Sequence, residues 1–81
     1  MHWKYHKKLD PKNQFGFVYI IIHKKTKKSY IGCKQYCIKR KGKEVESNWK
    51  IYTGSNKYLN EEIKKIGKKN YHFKVIGEYK N

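Results

Sequence analysis

Acidic residues are scarce in this chain of 81 residues: six Asp and Glu stand against 21 Lys and Arg, leaving a formal charge of +15. Arginine is scarcer still, because 20 of those bases are lysines and Arg40 stands alone. Long apolar runs are also missing. The longest covers residues 17–22, far below the roughly 20 residues that span a bilayer. No apolar stretch follows the basic N-terminus, so no signal peptide is expected and no membrane is implied. Two cysteines, Cys33 and Cys37, are too few for a disulfide framework and point to a reducing cytoplasm. With His2 and His6 they also lack the four-ligand spacing of a zinc site. There is no Ser/Pro-rich linker and no internal repeat, and the length excludes a two-lobed enzyme. One small domain remains.

Aromatic residues are plentiful by contrast, at 16% of the chain, which is enough apolar bulk to offset a charge density that would otherwise suggest disorder. The clustered lysines call for a polyanion, since neutralising phosphates releases counterions. Nucleic acid is the first candidate and an anionic membrane the second.

Residues 1–15, with Trp3, Tyr5 and several lysines, form a basic aromatic arm without a period, expected to pack on a core edge. Residues 16–81 carry the domain. Phe17, Val18, Tyr19, Ile20, Ile21 and Ile22 are β-branched or aromatic and predict a buried strand. A lysine-rich turn separates them from Ser29, Tyr30, Ile31, Gly32 and Cys33, so the two runs predict a hairpin with a loop of about five residues, Cys33 serving as a small core residue. Residues 34–40 are compatible with a short helix that brings Arg40 back toward the tyrosines. Residues 44–52 read as irregular, anchored by Trp49 and Tyr52. Ser55 predicts an N-cap, Leu59, Ile63 and Ile66 an apolar helix face, and Gly67 the C-cap. From Tyr71 the period becomes two: Tyr71, Phe73, Val75 and Tyr79 share one side, His72, Lys74, Ile76 and Glu78 the other. The expected fold is α+β, a small three-stranded antiparallel sheet flanked by helices.

Tyr19 and Tyr30 fall on neighbouring strands, where side chains approach to about 5 Å. Two phenols and one guanidinium suit a phosphodiester. Arg40 can grip two phosphate oxygens in a fork that lysine cannot form. A tyrosine can act as general base if nearby cations depress its pKa of about 10.

The ordered residues Phe17-Val18-Tyr19, Tyr30-Ile31-Gly32 and Arg40 resemble the GIY-YIG nuclease family. The run Trp49 to Ser55, leading into the helix and Gly67, looks like the subgroup found in phage homing endonucleases. The resemblance covers about residues 16–79. It implies metal-dependent hydrolysis of double-stranded DNA, with Tyr19 and Tyr30 lining the site, Arg40 on the scissile phosphate and Tyr52 as an assisting residue. Lys34, Lys39, Lys41, Lys43, Lys50 and Lys57 lie around these positions and are the candidate DNA contacts. The family holds one divalent metal, Mg²⁺ by expectation, through a Glu on a helix after the third strand. Glu61, Glu62 and Glu78 do not match that position, so no metal ligand is identified. The expectation is therefore either a piece of a longer nuclease or a module that is inactive or completed by a partner. The rivals are a non-catalytic DNA-binding module on the same scaffold and, from composition alone, an RNA-associated structural protein.

Overall fold

A computed structural model describes residues 1–80. Its centre is an antiparallel sheet in the order β2-β1-β5, built from β1 (Gly16–His23), β2 (Ser29–Gln35) and β5 (Tyr71–Tyr79). The β-branched run of β1 takes the middle place, where both edges are paired. Residues 24–28 join β1 to β2, with the His23 ring accepting from the N–H groups of Lys25 and Thr26 at 3.1 and 3.2 Å.

Phe17, Tyr19, Ile21 and His23 alternate onto one buried face, where Tyr71, Phe73 and Val75 of β5 join them. Helix α1 (Lys57–Ile66) lies against this face through Leu59 and Ile63. Trp49, Tyr36 and Trp3 complete the core around Phe17. The arm is thus part of the sheet layer. Lys4 bridges Lys74 in parallel, its N–H donating to Phe73 and its carbonyl accepting from Val75, both at 2.8 Å. Trp3 stands edge-on to Phe17 and Phe73, and its indole N–H donates to the Trp49 carbonyl at 2.8 Å. The opposite sheet face carries no helix among the described residues and leaves Ile31 and Ile76 exposed. No helix among them is long and apolar enough to cross a membrane.

Residues 34–40 are not helical. After β2 the chain makes a second hairpin, β3 (Cys37–Arg40) with β4 (Lys43–Glu46), whose strands pair only with each other. The i, i+4 spacing of Tyr36 and Arg40 is too short a pattern to hold a helix. A stronger local signal is Lys41-Gly42, both at positive φ (53° and 78°), the geometry of a tight hairpin turn that glycine accepts freely. Tyr36 is fixed by distant partners: its N–H donates to Phe15 at 3.1 Å and its carbonyl accepts from Ser47 at 2.8 Å. Residues 44–46 are consequently strand rather than irregular.

Four smaller expectations also change. Asn56, not Ser55, caps α1, its Oδ1 accepting from the Leu59 N–H at 3.0 Å. Ile66 is 38% exposed because it sits in the last turn, beyond the sheet. Cys33 is exposed on the outward side of edge strand β2. Finally, β5 contains a bulge. Val18 pairs with Gly77 but Tyr19 pairs with Val75, so Ile76 is skipped and the alternation changes phase. Glu78 then lies opposite Phe17 on the core side, and Tyr79 opposite Gly16 on the other.

Candidate functional site

The hairpin register places Tyr19 opposite Gly32 and Tyr30 opposite Ile21, so the two tyrosines are diagonal neighbours on one face. They border a cleft of about 250 Å³ completed by Ile31, Gly54, Ser55, Asn56 and Leu59. Gly32 is needed for close approach: a Cβ there would overlap the Tyr19 phenol, lying 2.7 Å from its Cζ. The Tyr-Ile-Gly triplet therefore supplies one cleft wall and the space for the other tyrosine.

The far wall is the entry to α1. Asn60 holds it, donating to the Gly54 carbonyl at 3.0 Å and accepting from the Thr53 hydroxyl. The N-terminal segment buttresses the approach: the His2 ring donates to the Tyr52 carbonyl at 2.7 Å. Tyr52 meets Tyr19 edge-on at 6.0 Å between ring centres, and the Lys34 ammonium stands 4.3 Å from the centre of the Tyr52 ring. The Tyr19 phenol stands beside Tyr52 and shares the cleft with Ser55. The amino end of α1 faces the same cleft and adds partial positive charge.

Tyr19 is 3% exposed. Burial, then the neighbouring Tyr52, push its pKa up to about 12. Cations do not depress it, contrary to the role of ready phenolate base. Held protonated, its hydroxyl is a donor and a positioning group.

Arg40 does not line this cleft. It sits exposed at the turn end of the β3–β4 hairpin, paired with Lys43, with Lys39 and Lys41 beside it. Lys34 is the base the fold brings to the tyrosines. Its position opposite Phe17, on the tyrosine side of β2, follows from strand alternation counted from Gly32. Lys50 pairs with Glu46 at 3.7 Å on the surface, and exposed Lys57 opens α1 one residue past the cleft. The contributions of Ser55 and Asn60 had no signal in the sequence beyond their closeness to Gly54.

The donors lining the cleft are hydroxyls, an amide and backbone. No carboxylate lines it, and no three His, Cys, Asp or Glu side chains gather among the described residues. Glu78 accepts from the Tyr36 hydroxyl at 2.6 Å and from the Asp10 N–H at 2.8 Å, and Glu62 accepts from the Tyr71 hydroxyl. This donor set does not fit a hard divalent ion, which takes carboxylate oxygens.

A phenol-lined cleft between a Tyr-Ile-Gly strand and a helix entry defines the GIY-YIG class of nuclease domain. The family described as "Putative endonuclease segE, GIY-YIG domain" matches residues 2–81, and the chain belongs to it. That match takes in the N-terminal segment, in keeping with the burial of Trp3. No curated protein and no solved structure matches the chain.

Proposed function

We propose that this chain acts on double-stranded DNA, hydrolysing a phosphodiester seated over the Tyr19–Tyr30 cleft. The observation that carries the reading is the convergence of Tyr19, Tyr30 and Ser55 on one cleft, with Tyr52 and Lys34 alongside, in a protein of charge +15. Tyr30 and Tyr19 orient the attacking water and a non-bridging oxygen. As the water oxygen bonds to phosphorus its proton passes to solvent, and the opposite ester P–O bond breaks with the leaving oxygen taking a proton from solvent. Tyr52 packs edge-on against Tyr19 and fixes its ring, and Ser55 adds a hydroxyl to the same cleft. The Lys34 ammonium and the amino end of α1 offset the charge that grows on the phosphate in the transition state. The lysines elsewhere supply the docking field. Cys33 and Cys37 are free thiols, which suits a reducing cytoplasm, and a homing-type nuclease fits the subgroup.

The test is nicking and linearisation of supercoiled plasmid. Assays supply Mg²⁺, the ion expected of the family, whose carboxylate ligand the described residues do not provide. Tyr19→Phe and Lys34→Ala are each expected to slow cleavage by about a hundredfold or more, with the fold intact by circular dichroism. Cleavage at the native rate by both variants would sink the reading. Salt-sensitive binding with no cleavage by the native chain favours the second reading, a DNA-binding module on the same scaffold. The absence of a carboxylate from the cleft is what keeps that reading in play.

A further inference from the structure

The β3–β4 ribbon takes no part in the cleft, yet its free end is strongly cationic. At its base Glu46 lies opposite Cys37 and pairs with Lys50 at 3.7 Å, while Glu44 lies opposite Lys39 one pair in from the tip. At its tip Arg40 faces Lys43 across the Lys41-Gly42 turn, and all four residues are exposed. Four cations, Lys39, Arg40, Lys41 and Lys43, crowd the free end against one acid, Glu44, while the acid at the base, Glu46, is paired with Lys50. The base is held firmly: Tyr36 is 1% exposed, and the Ser47 hydroxyl donates to the Gln35 carbonyl at 2.6 Å. A tip built only to keep the protein soluble would not need such an anchor.

The dimensions are those of a groove reader. Each strand has four residues, at about 3.3 Å per residue, so the ribbon reaches about 13 Å, beyond the roughly 8.5 Å depth of the DNA major groove. Its strands lie about 4.8 Å apart, and a groove about 12 Å wide admits such a pair. The one arginine of the chain sits at the tip, and arginine is the side chain that grips both guanine acceptors, O6 and N7, at once. The deep, narrow major groove of A-form RNA does not admit side chains in this way, so the geometry favours DNA.

We propose that the β3–β4 ribbon docks in the major groove of duplex DNA, with Arg40 contacting guanine edges and Lys41 and Lys43 the flanking phosphates. The proposal rests on the reading of the chain as a DNA-acting domain, but its readout is binding, not cleavage. Affinity for an end-labelled duplex is measured by fluorescence anisotropy for the full chain, for Arg40→Ala with Lys43→Ala, and for Lys24→Ala with Lys25→Ala. The second pair removes the same charge from the β1–β2 turn. The ribbon variant is expected to bind about tenfold to a hundredfold more weakly than the turn variant, with a salt slope shallower by about one. Equal losses for the two variants overturn the proposal.

A second measurement needs no variant. Duplex premethylated at guanine N7 is expected to bind the native chain several-fold more weakly than unmodified duplex. Equal affinity excludes the groove contact, and so does a preference for duplex RNA. Tight, ribbon-dependent binding without cleavage supports this inference while removing the nuclease reading. Cleavage that is indifferent to the ribbon and to premethylation removes this inference alone.

Discussion

The side chain with most consequence is Tyr19, and its proton shows why. The phenol keeps its proton more firmly in the folded protein, with a pKa of about 12, than in the unfolded chain, where it titrates near 10.0. The stability gained from keeping it neutral is fully present below pH 10 and is lost as pH rises through about 12. Tyr36, Tyr71 and Tyr79 are displaced upward as well, each first by burial, so they push in the same direction. Denaturant midpoints followed against pH are therefore expected to fall steeply above pH 10, with phenolate absorbance appearing as the fold is lost. Tyr19→Phe is expected to move that fall to higher pH; an unchanged alkaline limit argues that Tyr19 is not among the phenols that set it. At neutral pH the Tyr19 phenol therefore keeps its proton and is a hydrogen-bond donor.

Among the elements, β5 carries the largest effect through one skipped residue. Without the bulge, Glu78 would point away from the core and the Tyr36 hydroxyl would be buried with no acceptor. With it, Glu78 accepts from Tyr36 and from the Asp10 N–H, tying the ribbon base, the last strand and the N-terminal segment together. Glu78→Ala is expected to cost about 1–3 kcal/mol, since it strands a buried hydroxyl. In a domain of this size each kcal/mol lowers Tm by about 4–8 °C. Glu78→Gln keeps an acceptor and should lose less; equal melting of both variants would show the carboxylate contributes nothing as acceptor. This is also where reading from sequence reached its limit. The first hairpin is legible from two apolar, β-rich runs around a lysine-rich turn, α1 from its 3.6 period and β5 from a period of two as far as Val75. The Tyr19–Tyr30–Gly32 arrangement was legible because register follows from a short turn. The bulge was not, because nothing local marks Ile76 as the residue to be skipped. The β3–β4 hairpin was misread as a helix because Tyr36 is positioned by Phe15, Ser47 and Glu78, all remote in sequence. With that error went the expected place of Arg40.

For the whole molecule, charge and fold oppose each other. A net +15 has little to neutralise it: Lys50–Glu46 is the one salt bridge among the described residues. Lysine repulsion therefore strains the compact state, and salt screens it. Added sodium chloride is expected to raise the melting temperature by several degrees while weakening DNA affinity, two opposite responses of one charge distribution. A melting temperature that falls across the same range would show that specific ion pairs, not bulk repulsion, govern stability. The sheet order carries a last consequence, one of timing. Central strand β1 begins at Gly16, but its second partner, β5, spans Tyr71–Tyr79, and the bridge from Lys4 lands on Lys74. Most of the core's closure joins segments that lie far apart in the sequence. At about 5–20 residues per second the ribosome takes several seconds to supply the closing strand. Such long-range pairing also makes folding slow for so small a protein. During that interval the tyrosines have no cleft to line and the ribbon has no anchored base. A nascent chain thus has no assembled cleft until β5 has been synthesised and has paired with β1.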